Sequence, residues 1–229
     1  EGSQFLMTGV FAYLLDGAGW ILYFKSIVLG PITIVGTLSA AYPALTVLFA
    51  GVFLGEVLQP IQYLAVVLVI TGCIGLSYSP PGANGKAKNR IWILYAASAL
   101  VLWGAAQTFV KHSYSLPAAS DANLALFNTI GGALTLGIYG FLKCRQGVHS
   151  AKEWTISFFP MAMMAAGDLS VILATQHGPV SIVTPLTGAY PLVTLGFAYV
   201  VLKEKISVLQ WISIFMVLIG IVLVPGSSS

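Results

Sequence analysis

Asp16 and Asp168 are the residues of this chain with the clearest chemistry. Each lies near the middle of a long apolar stretch. A carboxylate at bilayer depth costs at least ~2.5 kcal/mol on insertion, so it normally faces a bundle interior or a watery cavity. Proton coupling or cation binding is the chemistry open to such a group. A hydrogen-bonded structural aspartate is the other reading. Tyr13, Trp20 and Tyr23 share the helical face of Asp16.

Further candidates fall into stripes. Ser39, Tyr42 and Thr46 are spaced i, i+3 and i+7, and Thr187, Tyr190 and Thr194 repeat that spacing. Each stripe crosses a proline, Pro43 or Pro191, which frees the carbonyl of Ser39 or Thr187 from its usual amide partner. A freed carbonyl within a bilayer needs another donor and can line a cavity. The stripes therefore fit either a polar wall along a substrate pathway or hydrogen-bonded helix packing. Trp103, Gln107 and Lys111 share a face at i, i+4 and i+8. Trp103 is mid-span, where it can stack on a substrate or pack against a neighbour, and Lys111 reads as a helix end at the interface. Asn128 is a hydrogen-bonding group within another span. The candidate substrate-binding set is Ser39, Tyr42, Trp103, Gln107, Asn128, Thr187, Tyr190 and Trp20, with Asp16 and Asp168 as candidate proton-coupling residues. Glu56 and Glu204 close two long spans, where a carboxylate opposes the helix macrodipole. A salt bridge to a neighbouring loop is expected to retain them.

The elements that position these residues follow from composition. The 229 residues are 58% hydrophobic and only 7% charged, against about 25% charged in a soluble domain. Eight apolar spans can be drawn, at about 5–28, 31–54, 60–79, 91–111, 121–142, 155–176, 179–202 and 207–225, each near the length a bilayer demands. The expected class is an all-α polytopic membrane protein. Nucleic acid is not expected as a partner, because no basic cluster is interleaved with aromatics. No cofactor or metal is expected either. Cys73 lies in an apolar span and Cys144 in a basic loop, without metal-like spacing. The partners implied are the lipid bilayer and a small-molecule substrate, and the expected location is the plasma (cell inner) membrane.

One segment occurs twice. Gly30-Pro31-Ile32-Thr33-Ile34-Val35 stands beside Gly178-Pro179-Val180-Ser181-Ile182-Val183, an offset of 148. The offset also pairs Tyr42 with Tyr190, Glu56 with Glu204, Gln62 with Gln210 and Gly72 with Gly220. Each Gly-Pro reads as a tight turn between two helices. The stretch 79–90, rich in Pro, Gly and charge, is the one candidate linker. This gives three helices of a first unit over 1–80, a linker at 81–90 and a complete five-helix unit over 91–226. By the same offset a complete first unit starts about 58 residues ahead of Glu1, room for two more helices. Eight transmembrane helices of a ten-helix, five-plus-five protein are therefore expected here.

Nine of the ten Lys and Arg residues fall on alternate loops of one side, with only Lys111 opposite. The positive-inside rule puts the basic side in the cytoplasm and the C-terminus outside.

The pattern Gly178-Pro179-x-x-Ile182-Val183, Tyr190-Pro191-x-x-Thr194, Lys203-Glu204 and Gln210, with Leu102-Trp103-Gly104, resembles the EamA-like families of the drug/metabolite transporter superfamily. The resemblance covers nearly the whole chain. It implies inverted five-helix repeats, alternating access, and secondary transport of a small metabolite such as an amino acid, nucleoside, sugar or drug-like compound. Coupling to protons or a counter-substrate would be part of that activity. The family's characteristic glutamate falls on Glu56 and Glu204, and its Trp-Gly on Trp103-Gly104. Two departures stand out: the first two helices are missing, and the charge bias points opposite to the cytoplasmic termini usual among ten-helix relatives.

Other functions are open on the residues alone. Two buried aspartates can share a proton and activate water, as in an intramembrane aspartyl protease. The Tyr-Asp and Gly-x-Gly-Asp motifs of those enzymes are absent, since Leu15 precedes Asp16 and Ala165 stands where the second motif needs glycine. The chain is therefore not expected to be an enzyme. A passive channel or an inert truncated fragment is the remaining alternative.

Overall fold

The computed structural model describes residues 2–30, 35, 41–77, 91–143, 151–189, 200 and 207–223. The secondary structure of these residues is helical, with no strand among them. The helices are α1 (Gly2–Leu29), α2 (Tyr42–Phe49), α3 (Pro60–Ser77), α4 (Ile91–Ser113), α5 (Asp121–Gly132), α6 (Ile138–Lys143), α7 (Ala151–His177), α8 (Val180–Thr187) and α9 (Val208–Leu223). A π-helical stretch, Ala50–Leu54, extends α2, and a second, Ala133–Gly137, joins α5 to α6. Helix is the expected outcome in lipid, where each backbone donor must be met inside its own segment.

Four of these helices are long and apolar enough to cross a membrane: Gly2–Leu29, Ile91–Ser113, Asp121–Lys143 and Trp154–His177. Tyr42–Leu54, Pro60–Gly75 and Val208–Leu223 are apolar but shorter. Two expected spans are thus only partly described, 31–54 from Ala41 onward and 179–202 chiefly over Val180–Thr187. Pro43 was expected within a span; it sits instead in the first turn of α2, where its missing N–H costs nothing.

Both Gly-Pro turns close with the same bond. Gly30 N–H donates to Ser26 O at 2.8 Å, and Gly178 N–H to Ala174 O at 3.0 Å. The residues involved are 148 apart.

Packing divides the helices into two connected groups. α1 lies along α4 and α5, burying Phe5, Tyr13, Val110, Leu124 and Phe127 with Ile172 of α7. α3 lies along α9, and α2 bridges from α4 to α8. The α3–α9 contact is self-complementary. A Cβ on Gly72 would stand 2.6 Å from Val217 Cγ2 and 2.9 Å from Ser213 O, and one on Gly220 would stand 2.7 Å from Val69 Cγ2 and 2.8 Å from Ala65 O. Gly72, Val69 and Ala65 become Gly220, Val217 and Ser213 under the 148 offset, so the two helices exchange the same contacts in opposite directions. Small residues at such a crossing let backbones approach where lipid gives no hydrophobic drive.

Many hydroxyls in the spans satisfy themselves locally. Thr108 donates to Gly104 O at 2.9 Å, Thr175 to Val171 O at 2.8 Å and Ser213 to Leu209 O at 2.8 Å. This is the usual i−4 back-bond of a helical hydroxyl.

Candidate substrate site

Three aromatic rings meet where α1 crosses α4. Trp103 is only 7% exposed. Its ring centroid lies 5.0 Å from Trp20, 5.3 Å from Tyr23 and 5.8 Å from Tyr42 of α2. Trp20 and Tyr23 stand 5.9 Å apart at 83°. The helix sequence explains the convergence. Trp20 and Tyr23 are one turn apart on α1, and Gly19 leaves a flat spot for the Trp103 indole, since a Cβ there would be 2.8 Å from its Cδ1 and Nε1. Inclined rings at these spacings are favourable edge-to-face contacts. The Trp103 Nε1 is buried without a hydrogen-bond partner among the described residues.

A polar group adjoins the rings. The Asp16 carboxylate adjoins the Trp20 side chain, one turn along α1. Asp168 of α7 and Asn128 of α5 face one another in the wall of one cavity. The charge of Asp168 reaches Asp16, and Tyr13 lies in the field of both carboxylates. The Tyr13 hydroxyl is buried and has no hydrogen-bond partner among the described residues. Beside Asp168 a cavity of about 390 Å³ opens between α5 and α7, with Asn128, Thr129 and Gly132 in its wall. A larger groove of about 750 Å³ on α1, α4 and α5 is almost wholly apolar, with Met7, Phe11 and Phe109 in its wall.

The structure thus brings together Trp20, Tyr42 and Trp103 as one group and Asn128 and Asp168 as another, with Asp16 between them. Gln107 is half-buried on α4 and lines neither of these cavities. Thr187 is exposed and donates to Thr184 O of its own helix at 3.0 Å. Thr46 is fully buried, its hydroxyl 3.4 Å from Tyr42 O. Ser39 and Tyr190 lie outside the described residues, as do Thr194 and Glu204. Tyr13 and Tyr23 belong to the site although the sequence marked them only by sharing a face with Asp16.

A second polar assembly holds the turn between α7 and α8. Glu56 was expected to form a salt bridge. Its carboxylate instead accepts from the backbone N–H of Val180 and of Ser181, both at 3.0 Å, and from the Ser181 hydroxyl at 2.6 Å. Gly55, with φ 67°, ends the π-helical stretch and aims Glu56 at α8. Lys111 approaches the same turn from α4. Its Nζ donates to Thr175 O at 2.9 Å and Gly178 O at 2.7 Å. An anion on the N-terminus of α8 and a cation on the C-terminus of α7 both match the helix dipoles. Nearby, the Tyr114 hydroxyl donates to Asp121 Oδ1 at 2.6 Å and lies 2.9 Å from Ile172 O. Burial first, then the bond to Asp121 and its charge, push the Tyr114 phenol above its ordinary range.

Comparison with known proteins fits this architecture. The model of the EamA-like transporter family matches residues 2–78 and again 90–225. The uncharacterized protein MJ1333.1 of Methanocaldococcus jannaschii is 31% identical over 81 residues, which is 35% of this chain and 59% of that relative. One crystal structure superposes with a TM-score of 0.69 at 19% identity, covering 96% of this chain and 86% of its own. At that identity the likeness is one of fold.

Proposed function

The chain belongs to the EamA-like transporter family, and on that premise we propose that it is a secondary transporter carrying a small metabolite across the membrane by alternating access. One observation carries the reading. Asp16 of the first repeat lies in the field of Asp168 of the second, which shares a cavity wall with Asn128, and Trp20 next to Asp16 belongs to an aromatic cluster drawn from both repeats. Membrane transporters built from repeats place substrate and coupling ions at such a junction.

The inverted relation of the repeats is part of the proposal. Its support is the α3–α9 crossing, whose contacts exchange under the 148 offset while the helices run in opposite directions. The proposed layout is three helices over 1–80, a linker at 81–90 and five helices over 91–226. Basic loops face the cytoplasm of the plasma membrane.

Proteoliposomes loaded with a pH-sensitive dye test the function. Amino acids, nucleosides, sugars and amines are added in turn, and proton flux triggered by a solute is recorded. Saturable solute-driven flux is expected, lost in Asp168→Asn and reduced in Asp16→Asn. Among the described residues, Tyr13 lies in the field of both carboxyls, and Asp168 acts on Asp16. Unchanged flux in both variants rejects carboxylate coupling, and non-saturating flux down any gradient marks a pore.

A further inference from the structure

Asp121 is a third carboxylate, separate from the midspan pair. It opens α5, half-buried at the span end where α4 and α5 are joined. Asn128, in the wall of the cavity beside Asp168, lies two turns further along the same helix, about 10 Å away. A proton bound for Asp16 or Asp168 from this end has to cross that distance, and within a bilayer chains of polar side chains carry such protons.

The groups in between suit that task. Tyr114 lies in the connection between α4 and α5. Its hydroxyl has one proton and two acceptors, Asp121 Oδ1 at 2.6 Å and Ile172 O at 2.9 Å. With Asp121 ionised the hydroxyl donates to it; with Asp121 protonated it can accept from the acid and donate onward. Gln176 of α7, its amide nitrogen turned to Asp121, donates to Oδ2 at 2.8 Å, with His177 Nε2 beyond it at 3.3 Å. Lys111, the neighbouring cation, is held on Thr175 O and Gly178 O. Burial and Asp121 push the Tyr114 phenol above its ordinary range, so it passes a proton only by releasing one as it takes one. Ile172 lines the cavity that also holds Asp168, one turn away on α7.

Tyr13 continues the line inward. It and Ile172 are buried in one cluster, against which Tyr114 packs. The groups whose fields reach the Tyr13 hydroxyl are Asp16, Tyr114 and Asp168. Tyr13 is 7% exposed, and its hydroxyl has no hydrogen-bond partner among the described residues. Ordered water is the usual partner of such a buried group. The cavity beside Asp168, about 390 Å³ with Asn128 and Thr129 in its wall, has the room and the polar lining that water needs.

We propose that Asp121 and Tyr114 are the proton entry to the midspan carboxyls. This rests on the carboxylate coupling proposed above and adds its route. Asp121 takes a proton from solution. Its O–H bond breaks as the Tyr114 oxygen gains that proton, and the Tyr114 O–H bond breaks as its own proton passes to a water held by the Tyr13 hydroxyl. That water releases one of its protons to the Asp16 or Asp168 carboxylate. Asp121, Tyr114 and the water end as they began, and one proton has moved inward.

Time-resolved infrared spectroscopy of the purified protein after an acid jump tests the route. The carbonyl stretch of a protonated carboxyl marks the proton's arrival, and Asp16→Asn and Asp168→Asn assign the midspan bands. Tyr114→Phe and Asp121→Asn are each expected to slow the rise of those bands roughly ten-fold or more, and Asp121→Glu to recover part of the rate. The equilibrium titration of the same bands should stay in place, whereas a merely structural loss moves it along with the rate. The unaltered protein gives a second measurement that needs no variant to fold. In proteoliposomes of one orientation, acid on the side of Tyr114 should protonate the pair faster than acid on the other side. An unaltered rate in either variant, a shifted equilibrium titration, or equal rates from the two sides overturns the proposal and leaves carboxylate coupling standing. Bands that neither Asp16→Asn nor Asp168→Asn removes overturn both.

Discussion

Removing the Glu56 carboxylate should loosen one particular turn. Its three hydrogen bonds, at 3.0, 3.0 and 2.6 Å, all end on Val180 and Ser181. Two of them satisfy orphan donors at the start of α8. Hydrogen bonds to a charged group contribute about 1.5–3 kcal/mol each when buried. Glu56 is only half-buried, and loss of a whole capping interaction typically costs ~0.5–2 kcal/mol. Glu56→Ala is therefore expected to lower stability by about 2 kcal/mol, the top of the capping range because three bonds are lost together. Glu56→Gln keeps one acceptor oxygen but loses the charge at the helix N-terminus, worth about 1 kcal/mol. Unfolding in mixed SDS micelles reads the global effect. Hydrogen exchange reads the local one, and about 2 kcal/mol corresponds to roughly 30-fold faster exchange if local opening governs it. The acceleration should be confined to the amides of Val180, Ser181 and the first turn of α8. Unchanged exchange at those amides in Glu56→Ala would refute the capping role, whatever happens to global stability.

Three more outcomes follow from the same geometry. Lys111→Met should cost about 1–2 kcal/mol by releasing the carbonyls of Thr175 and Gly178, and combining it with Glu56→Ala should be non-additive, because both groups hold one turn; strict additivity in micelle unfolding argues against a shared clamp. Gly72→Ala and Gly220→Ala should each destabilise by about 2 kcal/mol and by similar amounts, since either new methyl meets a valine and a backbone oxygen under 3.0 Å away; a neutral result for either would contradict the close crossing. Burial and Asp121 raise the Tyr114 phenol, so its stabilising share is present below about pH 10, the unfolded value, and declines as pH rises above it; pH-dependent unfolding should show that alkaline decline blunted in Tyr114→Phe.

What the sequence disclosed and what it hid divide along a physical line. Span limits were legible, because hydropathy and helix-ending residues are local. The reading of 91–111 meets Ile91–Ser113, and that of 121–142 meets Asp121–Lys143. The hairpin at Gly178-Pro179 was legible for the same reason. The partner of Glu56 was not. It lies 124 residues away, and a glutamate after a helix carries no mark of which distant N-terminus it will cap. Lys111 read as an interfacial helix end, and nothing in its neighbourhood announced the α7 carbonyls. Helical spacing put Tyr13, Trp20 and Tyr23 on one face with Asp16; in the structure Tyr13 and Trp20 neighbour Asp16, while Tyr23 packs on Trp20 and Trp103. Spacing gave no reason for Gln107 and Thr187 to part from Trp103 and Tyr42, because tertiary packing decides which members of a stripe face the site.

The repeat itself shows where chemistry entered. Gly19-Trp20 and Gly167-Asp168 occupy the same place in the two copies, 148 residues apart. Gly19 receives the indole of Trp103, while a Cβ on Gly167 would meet nothing within 4 Å. α1 is packed by α4 and α5, whereas α7 is exposed along most of its length. The shared sequence therefore sets the helix and its flat spot, and the neighbours determine whether that spot is filled. The following residue is an indole in one copy and a carboxylate in the other. Asp16 joins them, next to Trp20 on its own helix and in the field of Asp168 on the other. Two identical halves would bring two like groups to their junction. This pair brings an indole that packs into an aromatic cluster on one side and a carboxylate in a cavity wall on the other.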